Sequence, residues 1–145
     1  MRGMINHIWS ILCQSSSIDQ DNNNLSIFDV LNSLTIYAEE GNEITIPIKY
    51  ELVSLWERIE DEKPAQGKVK LLFVDPNGTK KTVFERALEW DRTQFYRTRV
   101  NMQGLSLIQS GRHAFEVEFK YEGKYRWGRI CELPLLIKFK PPKEA

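Results

Sequence analysis

Residues 110–121 read SGRHAFEVEFKY and alternate two kinds of side chain. The odd positions from His113 to Tyr121 are aromatic or apolar, whereas the charged residues stand at even positions: Arg112, Glu116, Glu118 and Lys120. This period of two is typical of a β-strand with one buried face and one face in water. The pattern therefore predicts an architecture, and it contains no catalytic motif.

The composition is that of a folded domain without a dominant charge. The chain has 145 residues, of which 41% are hydrophobic and 28% are charged, a length that suits one domain, residues 1–145, with a core of its own. Lysine plus arginine equals aspartate plus glutamate, at 20 each. Because no net charge draws the molecule to nucleic acid or anionic lipid, either kind of binding would need a local basic patch.

Further segments of strand length recur along the chain, separated by turn residues. We expect these segments to be extended: Ile5–Gln14, Leu25–Tyr37 with a break near Asn32, Ile44–Ile59, Val69–Val74, Lys80–Trp90, Gln94–Met102, Gly104–Ile108, Gly111–Tyr121 and Tyr125–Phe139. Exposed loops are expected at Ser15–Asn24 and Glu60–Gly67, and a tight turn at Asp75–Gly78. About eight short strands with hardly a helix predict an all-β fold, a single-domain antiparallel β-sandwich of immunoglobulin-like shape.

One segment, Ile44–Ile59, also fits a helix, because its apolar residues after Tyr50 repeat at helical spacing. The β-branched residues and Pro47 oppose a helix in the first half, and no N-cap residue stands where a helix would begin in the second. We therefore expect a strand throughout.

The register of the last hairpin depends on the length of its loop. A two-residue loop, Glu122-Gly123, sets Phe119 opposite Arg126, whereas a three-residue loop sets Phe119 opposite Trp127. The second register keeps aromatic residues together, so we expect it, or an early bulge that restores it.

The two cysteines, Cys13 and Cys131, lie inside apolar runs and lack the dense spacing of a secreted disulfide scaffold. We expect buried thiols, with a disulfide as the lesser alternative. No run reaches membrane-spanning length, and no small-residue cleavage site of an export signal follows the first strand. These features favour a cytoplasmic location without a membrane partner.

A partial calcium motif stands in the first loop, where Asp19-x-Asp21-x-Asn23 copies the first three ligand positions of a calcium-binding loop. Asn24 stands where that loop has glycine, and Val30 stands where it has a bidentate glutamate. We therefore expect a polar hairpin loop, and neither a metal nor a cofactor.

Basic and aromatic residues interleave in two places, a combination that holds phosphates and stacks bases in single-strand binders. The first set is Arg86, Trp90, Arg92, Phe95, Tyr96, Arg97 and Arg99, and the second is Lys124, Arg126, Trp127 and Arg129. Acidic neighbours dilute the charge, and strand alternation buries part of the first set. The candidate binding residues are Trp90, Arg92, Tyr96, Arg97, Arg126 and Trp127. Nucleic acid is the less favoured ligand, because a balanced charge releases few counterions.

His7 and His113 are the only histidines, and they are far apart in the chain. His113 stands where sandwich domains often carry a tyrosine that hydrogen-bonds the backbone at a strand corner, so we expect it to have a structural role. No nucleophile or phosphate-loop motif occurs. An enzyme would need a pocket in which a histidine meets a carboxylate or hydroxyl within hydrogen-bond reach.

Several segments together resemble a family of small bacterial proteins with a predicted β-sandwich fold and no assigned function. They are the strand ending in Cys13, Leu25–Val30 (LSIFDV), Pro47 followed by Leu52–Trp56 (LVSLW), Val74–Gly78 (VDPNG) and Gly111–Phe115 (GRHAF). The resemblance covers almost the entire chain and implies the sandwich fold, with no catalytic residues to carry over. His113 departs from the tyrosine that similar sandwiches tend to show.

These observations favour a non-catalytic module for binding or protein–protein assembly. An exposed sheet edge can accept another chain, and tryptophan or tyrosine supplies interface energy, so we expect a protein partner or a second copy at a sheet edge. One alternative is a nucleic-acid-binding sandwich, with Arg92, Arg97, Arg99 and Arg126 on one surface. The other is an enzyme acting on a small molecule.

Overall fold

Two β-sheets enclose the core of the computed structural model, which describes residues 5–59, 65–90 and 94–142. The described residues form nine strands and no helix: β1 (Ile5–Ile18), β2 (Leu25–Val30), β3 (Ser33–Tyr37), β4 (Ile44–Arg58), β5 (Ala65–Val74), β6 (Lys80–Trp90), β7 (Phe95–Leu107), β8 (Gly111–Tyr121) and β9 (Gly128–Lys140). One sheet has the order β2-β1-β4-β7, and the other has the order β3-β9-β8-β5-β6. The prediction of an all-β sandwich is confirmed. A helix able to cross a membrane does not occur in the described residues.

Strand β8 lies at the centre of the five-stranded sheet, and its predicted apolar face is buried, although Ala114 and Glu116 on the opposite face are buried as well. Its residues His113, Phe115, Val117 and Phe119 are all buried. The ring centroid of Phe119 lies 5.5 Å from that of Trp56 in the facing sheet and 5.8 Å from that of Trp90 in its own sheet. Aromatic side chains from both sheets therefore meet in one core.

One strand pair departs from the expected antiparallel arrangement. Strand β3 runs parallel to the end of β9, with Ser33 opposite Leu136, so the antiparallel prediction is wrong at this edge. The predicted break near Asn32 is where the chain leaves one sheet for the other. The immunoglobulin-like shape of this sandwich stays a prediction.

The hairpin of β1 and β2 bends over the outer face of β4. Arg99 of β7 donates from Nε to Ser16 Oγ (2.8 Å) and from Nη2 to the carbonyl oxygen of Ser16 (2.9 Å), although β4 lies between β1 and β7 in the sheet. This bend buries Glu51 and Val53 of β4. Because β1 continues to Ile18, the loop expected over Ser15–Asn24 is wrong for its first residues.

Strand β4 is extended from end to end, as predicted. Its pairing with β7 shifts between Ile46 and Lys49, where Pro47 has no N–H to donate. Opposite this bulge, Gly104 adopts a φ of +88°, which favours glycine. Tyr50 Oη donates a hydrogen bond to the carbonyl oxygen of Gly104 (3.2 Å) and so holds the bulge in place.

Strand β5 begins at Ala65, so the exposed connection predicted for Glu60–Gly67 is wrong for its last residues, while residues 60–64 lie outside the described part of the chain. Gly67 is buried beneath Phe119. A Cβ atom at Gly67 would lie 2.5 Å from Cζ of Phe119 and 2.7 Å from the carbonyl oxygen of Lys120. The ring of Phe119 occupies the space that a side chain would need.

The last hairpin adopts neither of the two registers considered from the sequence. Phe119 pairs with Gly128, and a shift between Val117 and Glu118 places Val117 opposite Cys131. The expected pairing of Phe119 with Trp127 is wrong, because Phe119 packs into the core whereas Trp127 contacts lysines on the outer face of the sheet. Placing Phe119 and Trp127 on opposite faces of the sheet is therefore more favourable than pairing the two rings across the strands.

We expect Gly67→Ala to lower the free energy of unfolding by about 1 to 3 kcal/mol, the usual cost of overpacking a core. The matched control is Gly128→Ala, since a Cβ atom there would come no closer than 3.9 Å to the carbonyl oxygen of Phe119. Urea denaturation of both variants measures the difference. An equal loss in the two variants would contradict the close contact between Gly67 and Phe119.

Burial raises the pKa of Tyr50 to about 12 from 10.0. The folded state therefore favours the neutral phenol, and this stabilisation is complete below pH 10 and is lost as the pH rises through 12. We expect wild type to lose about 3 kcal/mol more than Tyr50→Phe across this window, measured by urea denaturation at each pH. Tyr125→Phe, at an exposed tyrosine, is the matched control for the loss of a phenolic hydroxyl.

Candidate functional site

Trp90, one of the candidate binding residues, belongs to the core. Its side chain is fully enclosed, and its ring centroid lies 5.5 Å from that of Trp56. Tyr96 of β7 is half-buried and packs on Trp90 with the ring centroids 5.7 Å apart. The prediction that Trp90 contacts a partner is therefore wrong, because strand alternation places it on the inner face of β6.

The predicted arginines do not share one surface. Arg97 and Arg99 lie on the outer face of the four-stranded sheet, where Arg97 Nη2 donates to the carbonyl oxygen of Asn23 (2.7 Å) and Arg99 binds Ser16. Both side chains therefore hold the hairpin of β1 and β2 in place through these hydrogen bonds. Arg126 is exposed in the connection between β8 and β9 of the other sheet, and Arg92 lies outside the described residues.

Trp127 lies against lysines on the outer face of the five-stranded sheet. The Lys70 ammonium is 4.2 Å from the ring centroid of Trp127, and the Lys120 ammonium is 5.0 Å from it. Such contacts place a cation over the negative face of the indole ring. Lys70 also pairs with Glu118 (3.6 Å). Of the predicted site residues, Trp127 is the one that the structure surrounds with cationic side chains.

Arg129, the last member of the second basic set, is held in an ion-pair network. Its Nη1 lies 3.2 Å from Oε1 of the buried Glu116, and Lys80 Nζ lies 3.0 Å from Oε2 of the same carboxylate. Burial favours the neutral acid, but the hydrogen bonds and charges of Lys80 and Arg129 outweigh it and lower the pKa of Glu116. Arg129 therefore has a structural role in the sheet.

His113 is almost completely buried at the start of β8. Its Nδ1 lies 3.1 Å from the carbonyl oxygen of Gly111, and its ring stacks on Phe73 with the centroids 5.3 Å apart. The imidazole thus contacts the backbone two residues upstream at the strand start. These contacts are those of a structural residue.

His7 lies in a small polar cluster that the sequence did not reveal. His7 Nε2 is 2.7 Å from Ser10 Oγ, which is 2.7 Å from Ser54 Oγ. A bulge between His7 and Trp9 brings the histidine and Ser10 onto the same face of β1. A histidine and a hydroxyl therefore meet, but the Ser10 hydroxyl is shared between His7 and Ser54 within the network.

Ionisation in this cluster is restrained by burial. Burial lowers the pKa of His7 below 6.5, so the imidazole is neutral at pH 7. Burial also raises the pKa of Cys131, against the opposing effect of the Ser10 hydroxyl, and so disfavours the reactive thiolate. Both cysteines are free thiols. The cluster satisfies polar groups between β1, β4 and β9.

The partial calcium motif forms the turn between β1 and β2. Asp19 Oδ1 accepts hydrogen bonds from the backbone N–H groups of Asp21 (2.8 Å) and Asn22 (3.2 Å), which is the geometry of an Asx turn. Within residues 5–59, 65–90 and 94–142, no three acidic, histidine or cysteine side chains gather as a metal site. The aspartate holds the turn.

An opening that combines apolar and polar walls lies between two edge strands. β6 ends the five-stranded sheet and β7 ends the four-stranded sheet, and no described strand pairs with the outer side of either. Between them lie two adjoining cavities, each of about 190 Å³, which share Phe73, Lys81 and Ser106 in their walls. We call these two cavities the edge groove.

The edge groove has an apolar floor and a rim of mixed charge. Phe73, Leu105 and Leu107 come from its buried side, whereas Lys81 and Glu43 stand at its rim. An extended chain could place apolar side chains in such a groove while its backbone pairs with a free strand edge. The sequence predicted contact at a sheet edge but not this edge, because the groove residues come from distant segments.

Comparison with models of known protein families and with curated proteins finds no match to this chain. The resemblance to a family of small bacterial sandwich proteins therefore stays a prediction, and the geometry of the chain is the basis for a function.

Proposed function

We propose that this protein is a non-catalytic binding module that takes up an extended segment of a partner protein along β7 and the edge groove. The observation that carries this proposal is the edge groove itself, with apolar walls beside a strand whose outer side is unpaired among the described residues. Main-chain pairing would supply affinity, and side chains in the groove would supply specificity.

The regular part of β7 is long enough for such pairing. Phe95–Gln103 pairs with β4 on one side without interruption, which leaves a nine-residue stretch of backbone facing outward on the other. The pairing of β6 with β5 shifts between Leu71 and Leu72, which indicates a bulge. Because a bulge twists an edge strand away from an incoming chain, β6 is a poorer acceptor than β7. The partner segment should therefore add to β7.

The rim charges indicate the chemistry of the segment. Lys81 stands beside two carboxylates, Glu43 and Asp75, so the groove favours an apolar segment with few charges over a strongly acidic one. Nucleic acid is less favoured, since Arg97 and Arg99 hold the hairpin of β1 and β2, away from Arg126. Two free cysteines support a cytoplasmic location, where thiols stay reduced.

The proposal is tested by selecting binders from a displayed library of short linear peptides. We expect peptides with alternating apolar residues whose binding protects backbone amides of β7 from hydrogen exchange. Thr82→Trp, at an exposed residue lining the groove, should weaken their binding about tenfold or more by filling the space. The matched control is Thr35→Trp, at an exposed residue of β3 on another edge, which should bind as wild type does.

Two results would contradict the proposal. Peptides that bind Thr82→Trp and wild type equally, or that protect strands other than β7, would place recognition elsewhere. A dimer that forms with rising protein concentration and is abolished by Thr82→Trp would show that the edge serves a second copy of the chain. Sedimentation of both variants measures this outcome.

A further inference from the structure

A second surface, far from the edge groove, brings three lysines together. Lys68 of β5 and Lys120 of β8 stand directly opposite each other on neighbouring antiparallel strands. With Lys124 of the following turn they line a cavity of about 90 Å³ on the outer side of the sheet. We call these three residues the lysine cluster.

The lysine cluster is not neutralised within the described part of the chain. None of its ammonium groups forms an ion pair with a described carboxylate, whereas the neighbouring Lys70 pairs with Glu118 on the same two strands. Like charges directly opposite each other destabilise a sheet. The pair of Lys68 and Lys120 is therefore a cost to the isolated protein that a bound anion would remove.

The surroundings restrict what the anion can be. Glu122 also lines the cavity, so three ammonium groups and one carboxylate leave two net positive charges. The small volume suits a single compact group rather than a polymer, and lysine binds phosphate as a point charge. Trp127 lies beside the lysine cluster, since the Lys120 ammonium is 5.0 Å from its ring centroid.

We propose that the lysine cluster binds a phosphate dianion, either free or as the monoester of a small molecule. This site is independent of the proposed function, because Lys68 lies near the start of β5, whereas the edge groove lies beside Phe73 and Asp75 at the other end of the strand. Five residue steps along β5 separate Lys68 from Phe73, roughly 17 Å.

The test titrates the intact chain with inorganic phosphate at constant ionic strength. Binding is measured by calorimetry and by the shift of the indole N–H resonance of Trp127. We expect saturable binding that Lys68→Gln and Lys120→Gln each weaken about tenfold, the usual loss when one hydrogen bond to a charged group is removed. Lys49→Gln, at an exposed lysine of the other sheet, is the matched control and should bind as wild type does.

Thermal unfolding supplies a second measurement, in which the effect of Lys68→Gln on the melting temperature relative to wild type should differ in sign without and with phosphate. Without phosphate, Lys68→Gln should melt at a higher temperature than wild type, because it removes the repulsion with Lys120. With phosphate, wild type should gain stability and Lys68→Gln should not. Tighter binding of glycerol phosphate than of inorganic phosphate would identify an ester as the ligand, and equal or weaker binding would identify the free ion.

The proposal fails if phosphate stabilises the protein no more than sodium chloride of equal ionic strength. It also fails if Lys49→Gln weakens phosphate binding as much as Lys68→Gln does. Neither failure bears on the edge groove, since Thr82 and β7 take no part in this experiment.

Discussion

The ring of Phe119 joins the two sheets of this protein. It touches Trp56 of the facing sheet, Trp90 of its own sheet and the bare backbone of Gly67. Each aromatic pair adds about 0.5 to 1.5 kcal/mol beyond the area it buries. Because the ring lies over Gly67, β5 and β8 stay in close register, and the same register sets Lys68 opposite Lys120 on the outer face. Core packing and surface chemistry thus depend on one contact.

The positions of the strands could be predicted from the sequence wherever one face of a strand is buried and the other face is in water. The bounds of β6 and the buried face of β8 agree with the alternation of their residues, and β4 is extended despite its partial helical spacing. The departures occur where long-range packing decides. Gly67 lies in a strand because an aromatic ring covers it, and the last hairpin opens because Phe119 and Trp127 prefer opposite faces.

Candidate sites were less predictable, because residue type does not reveal which face of a sheet a side chain occupies. Trp90 and Trp127 look alike in the sequence, yet one is enclosed in the core and the other lies under two lysines. Arg97 and Arg99 lie in a segment whose basic and aromatic residues are typical of a phosphate-binding strand. Their side chains nevertheless hold the hairpin of β1 and β2. The edge groove and the pair of Lys68 and Lys120 join segments that only strand order brings together.

The parallel pairing of β3 with β9 has a consequence for how the chain is made. Ser33 is synthesised 103 residues before its partner Leu136. Contacts between such distant segments form slowly, because a large loop must close first. Strand β3 must therefore wait, unpaired along that side, until β9 has been synthesised, and only then can the five-stranded sheet reach its final width.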